Sequence, residues 1–217
     1  MKHILLFLPL LLLSCSDNSG AQIVEEDTEI EAVKESWNNY KTGLLEENPD
    51  KAIVVLDNNT IGYYNEMLDL VLKADSIHVN KLSILDKMMV LVCRVRVEAD
   101  TLMKMNGSLL LHYAISNGMI GKNSVVAIEI DDIKIEGNFA SATLVIGGKE
   151  TPAKMEFNKE NNIWKLDLTT IFKFSELAIS KAIEESGQTE NEYIMDMINY
   201  LLEDNPKNEA WKPVLVE

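Results

Sequence analysis

"VVAIEIDDIKIEGNFASATLVIGGKETPAKMEFNKENNIWKLDL", residues 125–168, is the stretch that decides the fold. Val126, Ile128 and Ile130 recur at every second position, and after Asp131-Asp132 the apolar series resumes out of phase at Ile133 and Ile135. Period two marks a strand with one buried face, because successive side chains on a pleated backbone point to opposite sides. A one-residue slip within such a run predicts a bulge at Asp131-Asp132; without it, every later side chain would turn to the wrong face. Glu136-Gly137-Asn138, Gly147-Gly148 and residues 158–162 are turn sequences, and further strands are expected at 139–146, 151–157 and 163–168. Connections this short join antiparallel neighbours, so the expectation is a four-stranded antiparallel meander.

On the C-terminal side, helical spacing appears at Ile171, Phe174, Ala178 and Ile179 and ends at Gly187. Thr189 and Glu192 form a capping box ahead of Ile194, Met197, Ile198 and Leu201, and Asn205-Pro206 stops that helix. Trp211 and Val214 of the tail are expected to lie against the body. On the N-terminal side a capping box, Thr28 with Glu31, opens a helix whose apolar face is Ile30, Val33, Trp37, Tyr40 and Leu44. Residues 49–56 suit a short helix with Pro49 first, and Asn59 or Thr60 caps another along Ile61, Tyr64, Leu68 and Val71. A polar stretch at 74–81 follows. "ILDKMMVLVCRVRV", residues 84–97, is ambiguous: Leu85, Met88, Leu91 and Val95 fit a helix, while Val95-Arg96-Val97 alternates. Its length and its Met and Leu content favour a buried helix from a Ser83 cap through Arg96. Asp100 and Ser108 are candidate caps for two shorter helices, the second closed by Asn117-Gly118.

The fold class is therefore α+β: a single domain over 28–217, with helices in 28–118, strands in 125–168 and helices again in 170–204. Residues 140–168, with Trp164-Lys165-Leu166-Asp167-Leu168 as their last strand, resemble the closing strands of the SnoaL-like (nuclear-transport-factor-like) superfamily. The resemblance implies a curved antiparallel sheet whose concave face holds helices around a cone-shaped pocket, and a bulge at Asp131-Asp132 suits such curvature.

At the far N-terminus, Met1-Lys2-His3 is followed by an apolar run from Ile4 to Leu13, broken only by Pro9. Crossing a bilayer takes roughly 20 apolar residues, so residues 1–14 read as a signal peptide and not as a membrane span. Leu12-Leu13-Ser14-Cys15 resembles the bacterial lipoprotein box, which implies cleavage before Cys15 and lipidation of its sulfur. Two or more acyl chains hold stably, at about 0.8 kcal/mol per buried CH₂. Ser16 after the cysteine resembles lipoproteins sorted to the outer membrane, and Ser16-Asp17-Asn18 is similar to a surface-export signal of one Gram-negative group. Residues 15–27, small and acidic, are expected to be a flexible tether.

The chain carries 35 acidic against 20 basic side chains, a formal net charge of −15. Such a surface repels nucleic acid and anionic headgroups, so neither is an expected partner. Hydrophobic residues make up 47%, enough for a core that packing alone must stabilise, because a lipidated Cys15 leaves Cys93 without a disulfide partner.

The chemistry-bearing residues are sparse. His78 and His112 stand in no metal-ligand spacing and read as structural or surface residues, so no metal or cofactor is expected. The SnoaL-like resemblance implies a general-base carboxylate in the pocket, for which Asp131, Asp132 and Glu129 are the candidates. Neighbours on a strand face opposite ways, so only one of the two aspartates could point inward, and solvated carboxylates at a bulge explain the same letters. Arg94 and Arg96 are the chain's only arginines. In an apolar segment at least one should meet a carboxylate, of the protein or of a ligand, with the protein's own favoured. Cys93 beside them reads as inert core. Met88, Met89, Met103 and Met105 could line an apolar pocket or simply fill gaps. Gly121-Lys122-Asn123-Ser124 lacks the spacing of a phosphate loop.

Three functional readings stay open: a lipid-anchored envelope protein that binds a small apolar ligand or a protein without catalysis, a SnoaL-like enzyme using a carboxylate or His112 as base, and an envelope assembly module docking through its C-terminal helices. An apolar pocket free of titratable bases favours the first, an inward carboxylate the second, and a filled interior with an exposed apolar helix the third.

Overall fold

The computed structural model describes residues 19–200 and 209–215. The signal segment, Cys15 and the Asn205-Pro206 stop lie outside the described residues. Helix α1, Ser19–Leu45, buries Val33, Trp37, Tyr40 and Leu44 on one face, as their spacing predicts. It begins earlier than the sequence suggests: residues 19–27, read as tether, belong to it, and Thr28 lies within it instead of capping it. Nucleation is the costly step in forming a helix and the buried turns from Val33 onward supply it, so Ala21, Gln22 and the glutamates extend it at little cost.

Asn48 caps the short α2, Pro49–Ile53. Helix α3, Asn58–Lys73, is capped by Asp57, whose carboxylate accepts from the Thr60 amide, and not by Asn59 or Thr60. The polar stretch after it contains a further helix, α4, Ser76–Lys81, capped by Asp75. The ambiguous segment is helical: α5 runs Ile84–Arg96 from a Ser83 cap. Two shorter helices follow, α6, Ala99–Leu102, and α7, Gly107–Ser116. Asn106, and not Ser108, caps α7. Gly107 permits a close crossing of α7 on α3, since a Cβ there would stand 2.5 Å from the Asn65 amide nitrogen.

The sheet is the expected meander, order β1-β2-β3-β4, all antiparallel: β1 Ile128–Glu136, β2 Phe139–Ile146, β3 Lys149–Glu160 and β4 Ile163–Asp167. The β1–β2 register shifts between Asp131 and Lys134, and Asp132 takes φ 46°, so the bulge sits where the apolar phase slips. Gly147-Gly148 and Asn161-Asn162 turn the chain with positive φ at both central positions, the conformation that matches strand twist in a tight hairpin. Pro152 breaks into β3 where the β2–β3 register is irregular and beyond the reach of β4, so its missing N–H costs no ladder bond to that neighbour.

One sheet face is the core face. Ala140, Ala142, Leu144, Met155, Phe157 and Leu166 lie on it, each no more than 2% exposed. α1 crosses this face, touching β1 and β4, and Lys41 of α1 donates to the Ile128 carbonyl and pairs with Glu129. Beyond the sheet come α8, Phe172–Ser186, ended by Gly187 at φ 70°, and α9, Glu190–Tyr200, opened by the Thr189–Glu192 capping box. Trp211 and Val214 pack on the core, and the Leu215 amide donates to the Leu72 carbonyl.

Candidate functional site

Helix α5 carries a stripe of side chains at positions 85, 88, 89, 92, 93 and 96, spaced to share one face. That face borders open volume. A cavity of about 290 Å³ lies among α3, α5 and α7, lined by Met67, Met88, Val92, Leu110 and Met119 and, from α9, Met197. A second, of about 280 Å³, adjoins it toward the sheet and is bounded by Trp37, Tyr40, Met155, Leu168 and Phe172. Tyr64, Leu85, Met89 and Ile120 belong to both walls, so the cavities share a partition.

The lining is almost wholly apolar and unusually rich in methionine. An unbranched thioether with three free torsions can reshape around different contents, which a packed Leu or Ile cannot. Three ring-borne polar groups lie in this wall. The Trp37 indole N–H is buried without a hydrogen-bond partner among the described residues, and the phenols of Tyr40 and Tyr64 border the same space. Trp37 and Tyr40 lie with ring centroids 6.0 Å apart. Burial pushes both phenols well above the ordinary tyrosine range, so at neutral pH they remain O–H donors. Tyr63 is fixed differently: its hydroxyl donates to Asp86 at 2.5 Å, it touches the Met89 sulfur, and its ring packs 4.7 Å from Phe172. This holds the start of α8 against α5 beside the second cavity.

The two arginines, adjacent but one in sequence, do different work. Arg94 meets carbonyls and not the carboxylate expected of it. Its guanidinium donates to Leu70, Val71 and Ala74 at the end of α3 and to Ala210 of the tail, at 2.5–3.3 Å. The last carbonyls of a helix have no partner within it and carry partial negative charge, so a forked cation satisfies several at once. Burial lowers its pKa to about 10, still fully charged at neutral pH. Arg96 lines the first cavity and makes one long hydrogen bond, 3.4 Å, to the Asn117 carbonyl. Among the described residues neither arginine pairs with a carboxylate.

The remaining candidates are dispersed. Cys93 is buried in the cavity wall, and burial pushes its thiol up to about 12, which leaves it protonated. Glu129, Asp131 and Asp132 are exposed on the sheet's outer face, where Asp132 pairs with Lys134 and Lys154. The bulge keeps the isoleucines inward by turning these carboxylates outward. His78 is exposed, and His112 is partly exposed with Asp50 at 3.6 Å. Met103 is 49% exposed and Met105 packs on the core, so two of the four methionines singled out line the cavity. Gly121 leads into a 3₁₀ turn, Lys122–Ser124, with the Ser124 hydroxyl donating to the Gly121 carbonyl.

Among the described residues, no carboxylate or histidine lines either cavity, no group of His, Cys, Asp and Glu could hold a metal ion, and no helix is long and apolar enough to cross a membrane. Sequence reading missed Met67, Met119, Met197, Tyr40 and Tyr64 as cavity residues; Met119 lies in the turn after α7, and each of the others fits an ordinary core pattern in its own helix. Comparison with protein families, curated proteins and solved structures finds no match to this chain.

Proposed function

We propose that this is a lipid-anchored cell-envelope protein that holds a small apolar ligand in the cavities along α5. One observation carries the reading: two adjoining, almost wholly apolar cavities with adaptable methionine walls. A concave, largely preformed and mostly apolar pocket is the ordinary site for a small apolar ligand. The lipoprotein-box resemblance at Cys15 supports the anchor, Ser16 supports the outer membrane, and the acidic surface argues against nucleic acid as a partner. The SnoaL-like resemblance belongs to the same proposal, supported by a bulged antiparallel sheet with helices over its inner face.

The test is displacement of an environment-sensitive apolar dye, N-phenylnaphthylamine, from the full chain and from Met89→Trp, which places a large ring in the shared partition. The wild type should enhance the dye's emission, and the variant, with unchanged far-ultraviolet circular dichroism, should bind it at least tenfold more weakly. Equal emission from both would refute the cavity reading. An intact mass of the native product without added acyl mass at Cys15 would refute the anchor.

A further inference from the structure

The structure assigns a polarity to the ligand: we infer that the cavity takes an apolar carboxylic acid, its chain along the α5 stripe and its carboxylate on Arg96. The inference rests on the cavity reading proposed above and adds the headgroup. From Leu85 to Arg96 the stripe runs about 16 Å along the helix, at 1.5 Å per residue. It is apolar at every lining position until its last, where it ends in a guanidinium.

The guanidinium is the unusual part. In a chain with 35 acidic side chains and two arginines, a cation would ordinarily find an ion pair. Arg94 is fully engaged by four carbonyls. Among the described residues the Arg96 guanidinium makes one contact, at the 3.4 Å edge of hydrogen-bonding distance, although it has five N–H donors and is half-buried against an apolar cavity. A planar fork at the end of an apolar channel matches a carboxylate in two parallel N–H···O bonds, and such charge-assisted pairs are the strong ones. The position also suits a cation for a second reason, because it is the C-terminal residue of α5 and complements the helix dipole. A guanidinium serving only the helix end would not discriminate between ligand headgroups, and that separates the two roles.

Calorimetric titration of the full chain with lauric acid and with lauryl alcohol, which share one hydrocarbon tail, tests this. The acid should bind roughly tenfold to a hundredfold more tightly than the alcohol, the range for a hydrogen bond to a charged group. Arg96→Gln should reduce the acid-to-alcohol preference at least tenfold with the far-ultraviolet circular dichroism unchanged, and Arg96→Lys should keep part of it; a preference that Arg96→Gln leaves intact would overturn the headgroup assignment. Equal affinity of the wild type for acid and alcohol would overturn the headgroup assignment and leave the cavity reading standing. Failure of both compounds to bind the wild type would overturn both. Should Arg96→Gln fail to fold, the wild-type comparison and Arg96→Lys still decide.

Discussion

Where α3 begins against β4, the interior is polar and closed; along α5 it is apolar and open. At the first place Asp57 is 1% exposed, and its two oxygens accept from the Thr60 amide at 2.8 Å and from the Asn158 side chain at 2.9 Å. Asp167, 5% exposed, accepts from Asn59 and from both the amide and hydroxyl of Thr169. The Thr60 hydroxyl takes the Leu168 amide, and backbone bonds Asp57 to Leu166 and Leu166 to Val55 close the open edge of β4. At the second place, half-buried methionines border open space, and beside it the Trp37 indole N–H is buried without a partner among the described residues. The two places are ordered differently: polar groups satisfied by one another hold the first seam closed, and the space along α5 is left for something else to fill.

Removing Asp57 should give the largest effect. Asp57→Ala deletes a helix cap and two hydrogen bonds to a buried charge and leaves the Asn158 amide without an acceptor. The expected loss is about 2–4 kcal/mol in urea unfolding. A loss under about 1 kcal/mol would mean that the seam is not what fixes α3 to the sheet, and the contrast would fail at its closed end.

At the open end, truncation should cost little. Met→Ala in a packed core typically costs about 2–5 kcal/mol, because the lining cannot follow the removed atoms. Met88 is half-buried and already faces the cavity, so Met88→Ala is expected to cost about 1 kcal/mol or less while weakening N-phenylnaphthylamine binding. A packed-core loss there would show that the methionines are structural filler and would remove the difference between the two ends.

The closed end was partly legible in the sequence and the open end hardly at all. Period two, the phase slip at Asp131-Asp132 and the Gly and Asn turns are local signals, and local backbone preference settles them; strand order, bulge and hairpins follow. The length and composition of 84–97 outweighed the alternation at its end, and α5 stops at Arg96. Asp57, Asn59 and Thr60 are all good caps by residue type, and what sets Asp57 apart, the Asn158 amide of β3 on its second oxygen, lies far along the chain. Arg94 looked like half of an ion pair because spacing does not show that the end of α3 lies within its reach. The cavity needs Met67, Met119 and Met197 from three separate segments to converge. For Met67 and Met197 apolar periodicity reports that the side chain turns inward and says nothing about whether the space it meets is filled, and Met119, in the turn after α7, has no periodicity to read.

The smallest expected effect lies at the outer rim of the closed end and depends on pH. The Glu29 carboxylate, on α1, accepts from the Lys159 ammonium at 2.7 and 2.8 Å and from the Trp164 indole N–H at 2.6 Å, while Lys159 stands 5.4 Å from the Trp164 ring centroid. The bonds from Lys159, then from Trp164, hold its pKa below the usual glutamate value. A carboxylate whose pKa is depressed on folding stabilises the native state fully above its unfolded pKa of about 4.3 and loses that contribution as pH falls through the lower folded value. Glu29→Gln should therefore be less stable than wild type at neutral pH by about 1 kcal/mol or less, the range for a partly exposed pair, and the gap should close as the solution is made more acidic than about pH 4. Urea midpoints for the two proteins at neutral and acid pH measure this directly. A gap that stays constant down to pH values where both carboxyl states are protonated would assign the contact to packing of the Lys159 and Trp164 side chains, and α1 would then be held to the sheet by shape alone at its outer end.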